Sequence, residues 1–293
     1  MTQEVKQALS VCPLQLRAAA ERLPERCLDS MEELRLRCGQ VATVLSSQAE
    51  QELKGVTVTQ DMLQGVVSAA TGQSVYAAQE MLRNGFITYA GGHRLGICGT
   101  AVVKHDEIIT IKDISSIALR VARQITGAAG RLTDYLWTHP KSTLIIGPPG
   151  CGKTTLLRDL IRQLSDRFGW CVCVADERME LAGCVNGVPQ FNLGRRTDIL
   201  AGSNKAQAIE VLVRSMRPQW IALDEITAER DVDAISRGSY CGVRFLATAH
   251  ALNRKELYSR PVYQKLLGMG VFENLAVFGK NRTLQIGEVG GNA

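Results

Sequence analysis

Long apolar runs are missing from this sequence, and no stretch approaches the roughly 18 consecutive apolar residues of a membrane-spanning helix. The N-terminal segment from Met1 to Ala8 also lacks a basic stretch followed by an apolar one, which is the pattern of a secretory signal. The chain has 45% hydrophobic and 22% charged residues, as soluble globular proteins do. These observations predict a cytoplasmic protein.

Cysteines at motif spacing are missing as well. The nine cysteines include no C-x-x-C pair, and no His/Cys grouping has the spacing of a zinc site. The sequence therefore suggests neither a disulfide framework nor a structural metal ion. We expect reduced and mostly buried thiols.

Signals for nucleic-acid and GTP recognition are weak. Aromatic residues make up 5% of the chain, too few for an obvious base-stacking platform, and the net charge of +5 is spread among interleaved acids and bases. We expect no stable nucleic-acid partner. Asn204 and Lys205 begin like the guanine-reading N-K-x-D but lack its aspartate, so we interpret them as a helix cap. The absence of L-S-G-G-Q disfavours an ABC-type ATPase.

A phosphate-binding loop is present. Residues 147–154 read GPPGCGKT and fit G-x-x-x-x-G-K-[ST], between a short apolar strand at 143–146 and a run of helical periodicity at 155–164. The candidate nucleotide-binding residues of this loop are Gly147, Pro148, Pro149, Gly150, Cys151, Gly152, Lys153, Thr154 and Thr155. The glycines let successive N–H groups point inward, and the following helix N-terminus favours an anion. The loop predicts binding of ATP with Mg²⁺, with Lys153 at the β- and γ-phosphates and Thr154 on the metal.

Polar residues follow three apolar strands beyond this loop. Because open α/β sheets bind ligands at the carboxyl ends of their strands, residues 176–178, Asp224 with Glu225, and Thr248 with His250 are expected to converge on the loop. Asp224 would hold Mg²⁺, and Glu225 would polarise the attacking water, which favours hydrolysis over phosphoryl transfer to another substrate.

Two further strand-end residues are candidates for the same site. Glu177 is predicted to order a second-shell water or the metal, with Asp176 as the alternative and a plain surface turn as the competing interpretation. His250 is a candidate to sense the γ-phosphate by hydrogen bonding, against a merely exposed histidine.

A long segment from about residue 183 to 203 has no clear periodicity and carries Arg195 and Arg196. Loops of this length within a compact domain are often functional, so one of these arginines could reach a γ-phosphate, including that of a neighbouring subunit. A basic surface loop is the competing interpretation.

The N-terminal part predicts a smaller α+β domain. Helices are expected at 59–72, capped by Thr59, and at 74–84, and short strands at 86–90, 95–103, 107–111 and 116–122 form an antiparallel meander. Arg120 lies on the exposed face of the last strand, with Arg123 just beyond it. The fold class is therefore α/β: an N-terminal α+β domain at 1–125, a hinge at 126–140 and a RecA-like P-loop ATPase domain at 141–293.

With these residues in place, the sequence resembles the stage III sporulation protein AA family, ATPases related to the type II and type IV secretion and pilus ATPases. The resemblance runs from about Leu34 to Glu288. The segments that carry it are GHRLGICGTAV at 92–102, DISSIALRVAR at 113–123, GPPGCGKTT at 147–155, ADER at 175–178, RPQWIALDEI at 217–226 and ATAH at 247–250.

The resemblance implies roles that spacing only permits. Arg120 and Arg123 would reach the nucleotide, Glu177 would belong to an acidic box, and His250 to a histidine box. The resemblance also implies a homo-oligomeric ring, a hexamer, peripheral on the cytoplasmic face of a membrane in the mother cell, where it meets membrane proteins of the channel to the forespore. One departure is the pair Asp224-Glu225, where the relatives usually have Gly-Glu. We expect magnesium binding to be intact.

The sequence thus predicts an ATP-hydrolysing oligomeric motor, similar to secretion ATPases, that powers assembly of or transport through a membrane channel complex during endospore formation. Two alternatives stay open, a P-loop ATPase that binds or translocates nucleic acid and a slow nucleotide-dependent switch.

Overall fold

The computed structural model describes residues 1–47, 49–72, 82–83, 85–279 and 283–290. The chain divides into two compact units. The first comprises residues 1–123 with 183–190, and the second comprises residues 124–182 with 191–293. All nine cysteines are free thiols, but only four are buried and three are exposed, so the prediction of mostly buried thiols is wrong.

The first unit packs helices against a mixed-length antiparallel sheet. Its elements are α1 (Gln3–Leu9), α2 (Leu14–Ala20), α3 (Glu25–Asp29), β1 (Met31–Arg37), β2 (Val41–Ser46), β3 (Glu50–Thr57), α4 (Gln60–Ala70), β4 (Phe86–Tyr89), β5 (His93–Lys104) and β6 (Glu107–Arg120). The sheet order is β3-β2-β1-β6-β5-β4. One face is apolar at every second position, as Leu34 and Leu36 of β1 illustrate by being fully buried in the core of this unit.

Several predicted elements of this unit are confirmed. The Thr59 hydroxyl caps α4 by accepting from the Met62 N–H, and the chain turns at Gly72 with φ of +59°. The predicted helix at 74–84 lies largely outside the described residues. The predicted break after residue 111 is wrong, because β6 is continuous and absorbs an irregularity at Asp113, whose φ is +47°.

The second unit has the layered arrangement of an open α/β sheet. Its elements are α5 (Gly130–Thr138), β7 (Thr143–Gly147), α6 (Lys153–Phe168), β8 (Val172–Asp176), β9 (Thr197–Ala201), α7 (Lys205–Met216), β10 (Trp220–Leu223), α8 (Glu229–Tyr240), β11 (Arg244–His250), α9 (Arg254–Ser259), α10 (Pro261–Gly268), β12 (Asn274–Phe278) and β13 (Leu284–Glu288). The sheet order is β13-β12-β7-β11-β10-β8-β9, parallel except for β13.

This strand order positions the site. The strand β11 lies between β7, which leads into the phosphate loop, and β10, which leads to Asp224 and Glu225. Residues at the end of β11 are therefore held between the loop and the acidic pair. The core strands are apolar on both faces, as parallel strands covered by helices on both sides require.

The segment from 183 to 203 is more ordered than the sequence predicts. It contains β9, which pairs parallel to β8, and residues 183–190 belong to the first unit. Within residues 183–190, Asn186 and Gly187 form a tight turn with φ of +50° and +76°. On either side of the turn, Val185 and Val188 each donate a backbone N–H to the carbonyl of the other. The polar composition around Arg195 and Asp198 conceals β9, an edge strand with little burial.

Candidate functional site

The phosphate loop lies between the end of β7 and the start of α6. Gly150 and Gly152 have φ of +72° and +109°, a region that side chains rarely adopt. At Gly147, a Cβ atom would lie 2.7 Å from the Cys151 Sγ and 2.8 Å from the Phe278 Cβ. The glycines at these positions are required by the backbone path and by close packing.

Lys153 is the first residue of α6 and is buried, with 6% of its surface exposed. Its ammonium donates to the carbonyl oxygens of Gly147 at 2.9 Å and Pro148 at 2.8 Å, and to the Nδ1 of His250 at 2.9 Å. Burial lowers the pKa of Lys153 below its ordinary value, while the nearby Cys151 and the acidic pair oppose that shift. The charge is thus held by its own loop and by the end of β11.

Asp224 joins three elements at the end of β10. Its Oδ2 accepts a hydrogen bond from the Thr154 hydroxyl at 2.8 Å, and its Oδ1 accepts one from the Thr248 hydroxyl. A threonine of the loop helix and a carboxylate at the end of β10 are therefore in direct contact. This is the pair of oxygen donors that a Mg²⁺ ion beside a phosphate group requires.

Glu225 is held in a constrained conformation next to this pair. Its φ is +43°, unusual for a residue with a side chain, and its N–H donates to the Thr248 hydroxyl oxygen at 2.8 Å. Its Oε1 lies 3.3 Å from the His250 Nε2, and its Oε2 lies 3.6 Å from the Arg178 NH1.

His250 links the loop lysine to Glu225. Because an ammonium has donors only, the Nδ1 of His250 accepts from Lys153, which leaves its proton on Nε2, facing Glu225. The predicted strand ends therefore converge, and Lys153, His250 and Glu225 form one continuous chain of contacts.

Asp176 and Glu177 have different surroundings. The buried carboxylate of Asp176 accepts from the N–H groups of Glu180, Leu181 and Ala182 at 2.8 to 3.1 Å. Burial raises the pKa of Asp176 although these bonds lower it. Its geometry is that of a loop anchor. Glu177 instead pairs with the ammonium of Lys205, the first residue of α7.

Arg158 completes the anchoring of that loop. This buried side chain on α6 donates from Nε to the Leu181 carbonyl at 2.9 Å and from NH2 to the Glu180 carbonyl at 2.7 Å, and its guanidinium lies 3.8 Å from the centre of the Phe191 ring. Asp176 thus binds the N–H groups of this turn and Arg158 binds its carbonyl groups.

The four candidate arginines do not join this cluster within the second unit. Arg195 and Arg196 are held by Asp166 and Ser165 through their backbone N–H groups, near the end of α6. Since Lys153 begins that helix and each residue advances it about 1.5 Å, roughly 18 Å separates them from the loop. Within this chain, the backbones of these two arginines therefore lie far from the phosphate loop.

Arg120 and Arg123 belong to the first unit. The Arg120 Nε lies 3.2 Å from the Glu33 Oε2, and the Arg123 NH2 donates to the Asp29 carbonyl at 2.8 Å. Their role toward a nucleotide stays a prediction.

Sequence reasoning missed Lys205 and Arg158 as parts of the site. The sequence did indicate a role for Lys205, because a cation at the start of a helix opposes the helix dipole and needs an anionic partner. It gave no such indication for Arg158, because an arginine within an amphipathic helix is ordinarily a solvent-exposed residue.

The fold and this cluster define a P-loop protein with the RecA-like core of the secretion and pilus ATPases. The pilus retraction motor PilT, solved with bound ADP, superposes with a TM-score of 0.64 at 15% identity, covering 95% of this chain and 82% of that one. The ATPase DotB of Legionella pneumophila superposes with a TM-score of 0.58 at 13% identity, covering 94% and 78%. At such identities the likeness concerns the fold.

The family is settled by sequence. The chain belongs to the family described as sporulation stage III, protein AA, whose model matches residues 3–292. The stage III sporulation protein AA of Bacillus subtilis (strain 168) is 34% identical over 261 residues, which are 87% of this chain and 85% of that protein. The Arabidopsis thaliana protein SEEDLING PLASTID DEVELOPMENT 1 is 32% identical over 158 residues, 53% of this chain and 23% of that protein.

Proposed function

We propose that this chain is a Mg²⁺-dependent ATPase that works as a motor on a membrane complex during endospore formation. The observation that carries the proposal is the contact between the Thr154 hydroxyl and the Asp224 carboxylate, 2.8 Å apart, beside a buried Lys153. A phosphate loop alone is compatible with binding only. The acidic pair at the end of β10 supports hydrolysis.

The residues present fit a magnesium ion. In the part of the chain that the structure describes, no group of three or more His, Cys, Asp or Glu side chains is arranged to hold a metal. Mg²⁺ is usually held by one or two protein oxygens together with substrate phosphates and waters, and Thr154 with Asp224 would supply those two. When bound, it neutralises charge on the β- and γ-phosphate oxygens.

The side chains then divide the work of hydrolysis. On nucleotide binding, Lys153 would exchange the carbonyls of Gly147 and Pro148 for phosphate oxygens. Glu225 would orient the attacking water and accept its proton, and His250, between Lys153 and Glu225, would report the occupancy of the γ-phosphate position to Glu225. Glu177 would hold the water from the other side.

Family membership and the fold support the remaining parts of the proposal. The relative in Bacillus subtilis is named for sporulation stage III, and a structural neighbour is a pilus retraction motor. Among the described residues, no helix combines the length and the apolar character needed to cross a bilayer. We propose a homo-hexameric ring that attaches peripherally to membrane proteins, with Arg120, Arg123, Arg195 or Arg196 completing a neighbour's site.

The test is ATP hydrolysis as a function of protein concentration, with the mass at each point from light scattering. Wild type is compared with Lys153→Ala, Glu225→Gln and the control Lys255→Ala, an exposed lysine in the first turn of α9. We expect specific activity to rise as the ring assembles and to fall at least about 100-fold in both site variants. Activity that survives in Lys153→Ala refutes the proposal.

The same experiment separates the alternative functions. Stimulation by single-stranded nucleic acid that disappears steeply with salt would indicate a translocase. Tight ATP binding without turnover at any oligomeric state would indicate a switch.

A further inference from the structure

A buried cation in the second unit has no role in the function described so far. Lys205 is 5% exposed and is the first residue of α7. The Asn204 side chain already caps this helix by accepting from the Gln207 N–H at 3.0 Å. A cation at a helix N-terminus opposes the dipole, and burying an ammonium is costly unless it is paired. Helix formation therefore does not explain this lysine.

The partner of Lys205 is a residue of the candidate site. Its ammonium donates to the Oε2 of Glu177, the residue that follows the last position of β8. The two residues are 28 positions apart, so the fold and not the local sequence brings them together. The Glu177 side chain is 30% exposed, and among the described residues it is Lys205 that pairs with its carboxylate.

The pair borders a small cavity beside the acidic strand ends. The cavity has a volume of about 20 Å³, and Glu177, Lys205, Asp224 and Glu225 are among the residues that line it. A volume of this size holds about one water molecule, and the polar walls suit one. Because like charges repel, a cation in the same wall offsets the repulsion among these carboxylates.

We propose that Lys205 is a positioning residue that holds Glu177 opposite Glu225, so that both carboxylates bind the attacking water. This inference rests on the proposed ATPase function. The water oxygen forms a bond to the γ-phosphorus, the bond from phosphorus to the bridging oxygen breaks, and ADP leaves while Glu225 takes the proton. Lys205 neither gives nor accepts a proton, and it acts only through Glu177.

The test uses the full chain with four variants and a control. Lys205→Met keeps the length of the side chain without its charge, Lys205→Arg restores a cation, and Glu177→Gln is made alone and together with Lys205→Met. The control Lys255→Met removes an exposed lysine at a comparable helix position. Each is assayed for kcat and KM, for binding of a fluorescent ATP analogue, and for thermal unfolding.

We expect kcat to fall about 10- to 100-fold in Lys205→Met, with KM and analogue binding within about twofold of wild type. Lys205→Arg should recover most of this loss, and the double variant should be no slower than Glu177→Gln, because the lysine acts through that carboxylate. The melting temperature of Lys205→Met should stay within a few degrees of wild type, because the Glu177 carboxylate that loses its partner is 30% exposed and can be hydrated.

Four results would overturn the inference: an unchanged kcat in Lys205→Met, losses that multiply in the double variant, a raised KM at constant kcat, and unfolding of Lys205→Met and Lys205→Arg alike. The first two rule out action through Glu177, the third makes the lysine a nucleotide-binding residue, and the last makes it structural. If wild type binds the analogue but does not hydrolyse ATP as a ring, the proposed function itself fails, which the wild-type assay alone reveals.

Discussion

The strand ends form two opposite edges of the second unit's sheet, and these two edges carry different kinds of side chain. The edge at the carboxyl ends of the strands is here called the site edge. At the carboxyl ends of the strands lie charged and hydrogen-bonding groups, Lys153, Asp176, Asp224 and His250. At the amino ends lies an aromatic cluster that contains all three tryptophans of the chain. Its members, here called the tryptophan cluster, are Trp137, Phe168, Trp170 and Trp220.

The contrast separates groups that stabilise the fold from groups kept for chemistry. Trp220 is 1% exposed and stacks on Trp170 with ring centroids 5.4 Å apart and planes at 16°. Such burial and stacking stabilise the folded state. At the other edge, a buried lysine and neighbouring carboxylates cost stability, and a left-handed Glu225 adds strain. The charged side chains at the site edge are therefore held in place by the stability of the rest of the fold.

The largest effect on stability is expected at the tryptophan cluster. Trp220→Ala removes a fully buried indole and should lower the free energy of unfolding by about 3–5 kcal/mol. The specific activity of the molecules that remain folded should stay near that of wild type, because the cluster lies at the edge away from the phosphate loop. Urea denaturation and ATP hydrolysis, both at a temperature where the variant is folded, measure the two quantities.

Trp137→Ala is the matched control, since this member of the cluster is 59% exposed. It should lose less than about 1 kcal/mol, as exposed substitutions do. A Trp220→Ala variant with wild-type stability but impaired hydrolysis would reverse the assignment of the two edges.

The sequence contains enough local signal to predict the site edge. A phosphate loop, an acidic pair and a histidine each follow an apolar strand, and parallel strands bring such ends together without knowledge of their order. The confirmed Thr59 and Asn204 caps are equally local, because a cap is formed within four residues.

What the sequence does not predict depends on contacts between distant residues. Lys205 pairs with Glu177, and Arg158 donates hydrogen bonds to the carbonyls of residues 180 and 181. Each of these contacts joins residues more than twenty positions apart. The tryptophan cluster joins rings that are up to 83 positions apart, from Trp137 to Trp220. The edge strands β3 and β9 were missed because they carry several polar residues and bury few side chains.

A second prediction concerns His93, a buried polar residue of the first unit. We expect this residue to stabilise the fold and to take no part in a reaction. Its ring is 1% exposed, and its Nδ1 accepts from the Ala122 N–H at 3.0 Å. Among the described residues, its Nε2 finds no hydrogen-bond partner. Burial lowers its pKa from 6.5 to about 4, with Glu4 opposing this shift and Arg123 adding to it. The folded state therefore resists protonation that the unfolded state accepts.

The sign of the effect follows from that difference. Above pH 6.5 the ring is neutral in both states and the full stability is present, and stability is lost as the pH falls toward about 4. At about 1.4 kcal/mol per pKa unit, the loss attributable to His93 is about 3 kcal/mol. Urea denaturation at pH 7, 6, 5 and 4 measures it.

His93→Asn keeps an acceptor near the position of Nδ1 and cannot titrate, so its stability should depend less on pH over this range. His105→Asn serves as the control, because His105 is exposed in a turn at φ of +51°, which asparagine tolerates. Equal pH dependence in His93→Asn and His105→Asn would show that another group causes the acid sensitivity.

The smallest change in stability is expected at Asp224, which follows β10, and it is compared with the change at Asp231 in the first turn of α8. Asp224→Ala removes two hydrogen bonds but also a negative charge beside Asp176 and Glu225. Its free energy of unfolding should therefore stay within about 1 kcal/mol of wild type, while Mg²⁺-dependent hydrolysis is lost.

Asp231→Ala is the matched control. It removes a buried carboxylate that accepts from the Thr227 and Ala228 N–H groups at the start of α8. Its free energy of unfolding should fall by about 1–2 kcal/mol, and its activity should be kept. If Asp224→Ala were the less stable of the two, the site carboxylate would be holding the fold together, and the division between a stabilising edge and a chemical edge would not hold.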